Sequence, residues 1–199
     1  MIGTGVAGSD GDLVARARAG DDGAFDALFR KHYAKVVNFA LRLQGDADDA
    51  EDIAQTAFVR AHAHVGRIRD GQALLAWLYR TVVNIVRDRA KSASRKPLWR
   101  FADLGSTRTA GGSAPVEEVA DDSLDPSRRL MAAERDRALK RAIAELPLEF
   151  REPLVLHHLQ QMDVDEVARV LRVPVGTVKS RLSRGRSRLR EALAGWFDG

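Results

Sequence analysis

The chain contains no cysteine, which excludes disulfides, thiolate catalysis and cysteine-ligated zinc and is compatible with a reducing compartment. Aromatic residues are scarce at 6%, while Ala, Arg and Leu dominate, a bias that favours helix over strand. No apolar run approaches the roughly 18 residues a membrane span needs, so no membrane insertion is expected. Met1 to Asp12 lacks the basic start and apolar core of a signal peptide; a cytoplasmic protein with a mobile N-terminus over 1–11 is expected. No alternating strand pattern and no internal repeat is visible. The histidines make a poor metal set: His62 and His64 would stand about 200° apart on a helix, and the adjacent His157 and His158 diverge. Without a convincing third ligand, no metal, no cofactor and no catalytic residue is expected.

What is present points to folded helices. The 199 residues permit one medium domain or two small ones, and a hydrophobic content of 45% suits a folded protein. A first block is expected over 12–93. Ala24, Phe25, Leu28, Phe29 and His32 fall at helical spacing, and Val36, Val37, Ala40 and Leu41 continue the pattern until Gly45-Asp46. Ala50, Ile53, Ala54, Ala57, Phe58 and Ala61 form a second apolar stripe at a period near 3.6. A third helix starts after Asp70-Gly71 and includes Leu74, Leu75, Leu78, Val82 and Ile85.

The segment 94–125 changes character. Gly105, Gly111, Gly112, Pro97 and Pro115 sit among Ser, Thr and Ala without periodicity, and Glu117, Glu118, Asp121, Asp122 and Asp125 make its later part acidic. It reads as a flexible linker, whose roughly 30 residues would span on the order of 30 Å. A second block, 126–199, opens at Asp125-Pro126, an N-cap acceptor followed by a first-turn proline. Pro147 ends its first helix; Phe150, Leu154, Val155 and Leu159 mark a short one, and two more follow. The expected fold is therefore all-α, with two small helical domains joined by a flexible linker.

The net charge of +4 says less than its distribution. From Val164 to Arg190 there are eight basic residues and only two acids, the electrostatic footprint of a nucleic-acid binder. Asp163 and Glu166 stand as N-cap and N3 of a capping box, ahead of an inward face of Val167, Ala168 and Leu171. A brief turn at Arg172-Val173 leads to Pro174, which opens a helix with Val178, Leu182 and Leu189 as apolar positions. Two short helices, a tight turn and a basic second helix describe a helix-turn-helix, whose second helix enters the major groove N-terminus first. Arginine pairs with guanine through two hydrogen bonds, while lysine and serine hold phosphates.

Leu146-Pro147, Arg151, Val167-Ala168, the run Gly176-Thr177-Val178-Lys179-Ser180-Arg181-Leu182 and Arg184-Gly185-Arg186 resemble region 4 of the extracytoplasmic-function (ECF) sigma factors. The resemblance implies that this helix reads the minus-35 promoter element, through Thr177, Lys179, Ser180, Arg181, Arg184 and Arg186. Arg172 stands where the family often has glycine, a departure that is tolerable if its backbone avoids positive φ. Asp49 to Ala61 is similar to region 2.2, which implies docking of Asp48, Asp49, Glu51, Asp52 and Gln55 on the β′ clamp helices of core RNA polymerase. On periodicity alone, an acidic solvated helix start favoured by the helix dipole is the plainer account of those acids; the resemblance turns the balance toward docking. Ala76 to Asp88 resembles regions 2.3 and 2.4, which implies capture of the opened minus-10 strand. Arg67, Arg69, Asp70 and Gln72 would form the loop, Asn84 would read a base edge, and Arg80, Arg87 and Lys91 would hold phosphates. Trp77 is divided evenly between the melted junction and core packing; Tyr79 is expected in the core.

The function implied is a sigma factor whose partners are core RNA polymerase (β′ clamp and β flap), promoter DNA and an anti-sigma factor. The alternative is a helix-turn-helix regulator that binds duplex DNA without polymerase; it predicts a ligand pocket or a phosphoacceptor domain at the N-terminus, and neither is apparent. An enzyme lacks a plausible site, and a pure interaction protein would not need the basic helix.

Overall fold

The computed structural model describes residues 8–94 and 126–194, and these form helices with no strand among them. Four helices make the first module: α1 (Asp10–Arg18), α2 (Asp22–Gln44), α3 (Ala47–Ala63) and α4 (Gly71–Ser94). The second module holds α5 (Pro126–Glu145), α6 (Leu148–Leu154), α7 (Val164–Leu171) and α8 (Val175–Ala192). A 3-10 turn, Val65–Arg67, precedes α4, and a π turn, Val155–Leu159, extends α6. The expected linker lies outside the described residues, apart from the end of α4 at Ser94.

Local chemistry sets the helix ends. Gly45 adopts φ 87° and its N–H bonds the Leu41 carbonyl at 2.8 Å, closing α2 with the left-handed residue glycine tolerates best. Asp46 then accepts from the Asp49 N–H at 2.9 Å and starts α3, and Asp70 accepts from Ala73 N–H at 2.8 Å in the first turn of α4. Helix α1 has no counterpart in the sequence reading. Residues 8–11 were expected in the mobile N-terminus, yet Ser9 and Asp12 form a reciprocal capping box there.

The first module's core is large and apolar. Leu28, Val36, Phe39, Ile53, Leu74, Leu78 and Val82 are fully buried between α2, α3 and α4, with Leu13 and Val14 of α1 sealing one side. Gly71 allows α1 to lie close against α4, because a Cβ there would collide with Asp10. Asp10 in turn reaches buried His32 Nε2 at 3.0 Å and Lys31 Nζ at 2.6 Å. Burial pushes the Asp10 carboxyl upward, but Lys31 and His32 outweigh it and hold the group ionised below its ordinary value. Burial lowers His32, against the pull of Asp10, so the ring is held neutral. An ionised carboxylate only accepts, so the neutral ring donates through Nε2–H.

The second module has a thinner core of Leu146, Leu154, Leu156, Val167, Val170, Leu171, Val178 and Leu182. Gly185 lets α8 close on α6, since an added Cβ would come within 2.7 Å of Leu154 Cδ1. The two modules touch: α7 packs on α4, and α5 and α6 pack on α2.

Candidate nucleic-acid interface

The helix-turn-helix is built as its sequence suggests, with one correction. The Glu166 N–H donates to Asp163 Oδ1 at 2.7 Å and the Asp163 N–H donates to Glu166 Oε2 at 2.9 Å, completing the capping box. Arg172, however, sits at φ 55° and ψ 48° as the C-cap of α7, so the condition that it avoid positive φ fails. A left-handed non-glycine residue costs roughly 1–2 kcal/mol. The sharp reversal from α7 to α8 demands that conformation whatever the side chain. Pro174 then serves as the N-cap of α8.

Val178, Leu182 and Gly185 turn inward, which aims the rest of α8 outward. Lys179, Ser180, Arg184 and Arg186 are exposed, and Thr177 is half-buried. The half-buried Arg181 reaches Glu149 of α6 at 3.7 Å, a pair loose enough to be exchanged for a phosphate or a base edge. Arg188 stacks over the Phe150 ring at 5.0 Å and so belongs to the module's own packing.

On α4, Trp77, Arg80, Asn84 and Arg87 are spaced by three or four residues and share one side of the helix. Asn84 is exposed, and Arg67, Arg69 and Gln72 are exposed at the loop and start of α4. Trp77 is half-buried, packed partly against the core with its ring 5.9 Å from His64. Tyr79 is buried as expected, its ring tilted against that of Phe39, and burial raises its phenol far above its ordinary value. Arg80 and Arg87 are engaged within the chain. The Arg80 guanidinium donates to the Arg169 carbonyl at 3.0 Å, and Arg87 forms a two-pronged pair with Glu152 at 2.7 and 2.5 Å.

The α3 surface is acidic as expected, with Asp48, Glu51, Asp52 and Gln55 exposed. Asp49 departs from it. Its carboxylate accepts from Arg89 at 2.6 Å and from Gln44 at 3.3 Å, so it ties α3 to α4 and to α2. In its place the structure adds Val59, 70% exposed, on the same side of α3 as Asp48, Asp52 and Gln55. Along the sequence Val59 falls outside the apolar stripe of Ala50, Ile53, Ala54, Ala57, Phe58 and Ala61.

An all-helical chain with a capped helix-turn-helix in one module and an acidic helix face in the other defines a two-part promoter-binding transcription protein. Residues 28–96 match the Sigma-70 region 2 family and residues 136–189 match the Sigma-70 region 4 family. The chain is 31% identical to the RNA polymerase sigma-H factor of Pseudomonas aeruginosa, over 92% of this chain and 93% of that one. It is 35% identical to the ECF sigma factor SigM of Mycobacterium tuberculosis, over 93% of this chain and 85% of SigM. The fold matches that of RpoE from Bartonella quintana, solved with the anti-sigma factor NepR, at a TM-score of 0.62 and 25% identity, over 85% and 96% of the two chains. CnrH, solved with the cytosolic domain of CnrY, shares the fold at a TM-score of 0.63 and 24% identity, over 94% and 99%. The chain belongs to the ECF sigma factors of RNA polymerase. As a sigma factor it binds core RNA polymerase and directs promoter recognition, strand opening and the start of transcription. Sigma factors are initiation factors rather than enzymes. No helix among the described residues is long and apolar enough to cross a membrane.

Proposed function

We propose that the two modules divide promoter recognition. The module over 126–199 places α8 in the minus-35 major groove, with Lys179, Ser180 and Thr177 on phosphates and Arg181, Arg184 and Arg186 toward base edges. The module over 12–93 holds the opened minus-10 strand on α4. Asn84 meets a base edge, Arg80 and Arg87 neutralise phosphates, Arg67, Arg69 and Gln72 line the approach, and Trp77 supports the junction. The face of Asp48, Glu51, Asp52 and Gln55, with Val59 at its C-terminal end, docks on the polymerase β′ clamp. Charge there sets register and on-rate, and the exposed valine supplies the apolar contact. The second module also lies near the β flap. The linker over 94–125 lets both modules act on one complex, where tethering supplies effective concentration. The chain itself does no chemistry and works in the cytoplasm. An anti-sigma factor holds it inactive, as NepR is found bound to the related RpoE.

The observation that carries this reading is that α8 turns Lys179, Ser180, Arg184 and Arg186 to solvent while a completed capping box fixes the helix before it. Run-off transcription with core polymerase on a promoter library tests it. Arg181→Ala and Arg184→Ala should weaken initiation that depends on the minus-35 element, each by about 1–3 kcal/mol of discrimination. Asn84→Ala should impair strand opening, read by permanganate reactivity, more than initial binding. Parental initiation by all three variants would remove these assignments.

A further inference from the structure

We propose that α1 is a splint for the loop that leads into α4, and that Asp10 is its positioning residue. Clamped between Lys31, His32 and Gly71, Asp10 fixes the backbone that carries Arg67, Arg69 and Gln72. The bracing is a property of the fold; its consequence for promoter strands rests on the reading of that loop as part of the minus-10 surface.

Three helices meet at Asp10. Its Oδ1 lies 2.6 Å from Lys31 Nζ and its Oδ2 accepts from His32 Nε2 at 3.0 Å, both on α2. On the other side, the backbone of α1 lies against that of α4. A Cβ on Gly71 would come within 3.2 Å of Asp10 Cα and 2.2 Å of Asp10 Cβ. Gly71 is a helical residue of α4 without a left-handed φ, where alanine would be the better helix former. The glycine therefore serves the approach of α1 and not the turn of the chain. Ser9 and Asp12 cap α1 reciprocally, so the first turn that holds Asp10 is itself fixed.

The loop between α3 and α4 is held by short-range bonds. The Arg67 N–H donates to the His64 carbonyl at 2.9 Å and the Ile68 N–H to the Val65 carbonyl at 3.0 Å. Ile68 is buried and Val65 half-buried, while Gly66, Arg67, Arg69 and Asp70 are exposed. Helix α1 packs on the turn Val65–Arg67 as well as on α2 and α4, so it bridges the loop and the helix that follows. Nine residues do not sustain a helix alone, so α1 is ordered by its docking. Leu13, Val14 and Ala17 supply the apolar contact, which is non-directional and tolerates sliding. Two directed, charge-assisted contacts from one carboxylate do not, and they set the place at which α1 docks. The side chains offered to an unpaired strand are thus placed by a residue of the first helix.

Asp10→Ala, Gly71→Ala and Lys31→Ala are compared with the parent as full chains. Amide exchange is read at Ile68, Ala73 and Leu74, whose N–H groups bond within the loop and its junction with α4, with Phe58 of α3 as the reference. Asp10→Ala and Gly71→Ala should lower protection at these three amides by about tenfold or more, the equilibrium worth of a charge-assisted hydrogen bond, while Phe58 keeps its parental value. Lys31→Ala, a substitution at an exposed site, should show the same selectivity at smaller amplitude. The second readout uses each chain bound to core polymerase. Anisotropy gives its affinities for a labelled single strand with the selected minus-10 element and for a scrambled copy. General loss of fold weakens both alike and leaves their ratio intact. A displaced loop lowers the ratio, by about fivefold or more where one base contact is lost. Asp10→Asn, which still accepts from His32 Nε2–H, should restore most of the ratio. Parental exchange at the three amides in Asp10→Ala and Gly71→Ala, or losses in all three alanine variants that Phe58 shares equally, overturns the splint. Selective loss of protection with an unchanged ratio keeps the splint and overturns the loop's assignment to the minus-10 strand.

Discussion

The two modules reach stability by different routes. The first buries large side chains, Phe39, Leu28, Leu43 and Ile53 among them, in a four-helix core whose polar links, such as Asp49 to Arg89, lie at its margin. The second has shorter helices and a thinner core, and leans on capped ends, on Arg151 gathering backbone carbonyls, and on the close approach that Gly185 permits. The lesson concerns function as much as folding. A recognition helix of Arg, Lys, Ser and Gly contributes few apolar atoms, so the module that carries it must be held by geometry and hydrogen bonds.

That contrast can be broken by substitution. The largest effect should come from Phe39→Ala, fully buried and packed against the Tyr79 ring, with a loss of about 3–5 kcal/mol in urea unfolding. Arg151→Ala comes next. It strips a charged donor from several carbonyls, and such hydrogen bonds are worth about 1.5–3 kcal/mol each in the net balance. Its cost should fall on the second module, read as faster amide exchange in α5 and α6. If the exchange of α3 accelerates equally, the modules do not differ as described.

Smaller changes sharpen the contrast at the helix-turn-helix. Asp163→Ala removes the cap of α7 and should cost about 1 kcal/mol. Arg172→Gly should stabilise by up to about 1 kcal/mol, because glycine accepts the left-handed turn freely and its own unfolded-state entropy offsets part of the gain. The smallest effect is a pH dependence confined to α1. The folded pKa of His32 lies below its ordinary value of 6.5, so the neutral ring's contribution is fully present above that value and fades as the pH falls through the folded pKa. Protection factors of the α1 amides, corrected for the intrinsic pH dependence of exchange, should therefore fall between neutral and mildly acidic pH, while those of α8, which carries no histidine, stay unchanged.

Much of this molecule was legible along the chain. The apolar stripe from Ala50 to Ala61 is the buried side of α3, Gly45 and Pro147 fall where helices stop, and Asp163 and Glu166 form the capping box their spacing announced. Helix α1 was not, because nine residues offer too little periodicity to stand out and its identity as a helix depends on docking against α2 and α4. Asp49 was grouped with its neighbouring acids because spacing says which side of a helix a residue occupies, and not which arginine lies across from it.

By itself the sequence determined the helices, the two modules, the acidic and basic surfaces and the family, since all of these follow from local spacing and composition. Only the tertiary structure decided that Arg87 meets Glu152, that Arg151 reaches Leu43, and that Arg172 must adopt a left-handed turn. Those facts depend on which segments meet in space. A period of 3.6 residues orients a side chain about its own helix, and carries no record of a partner sixty-five or more residues away.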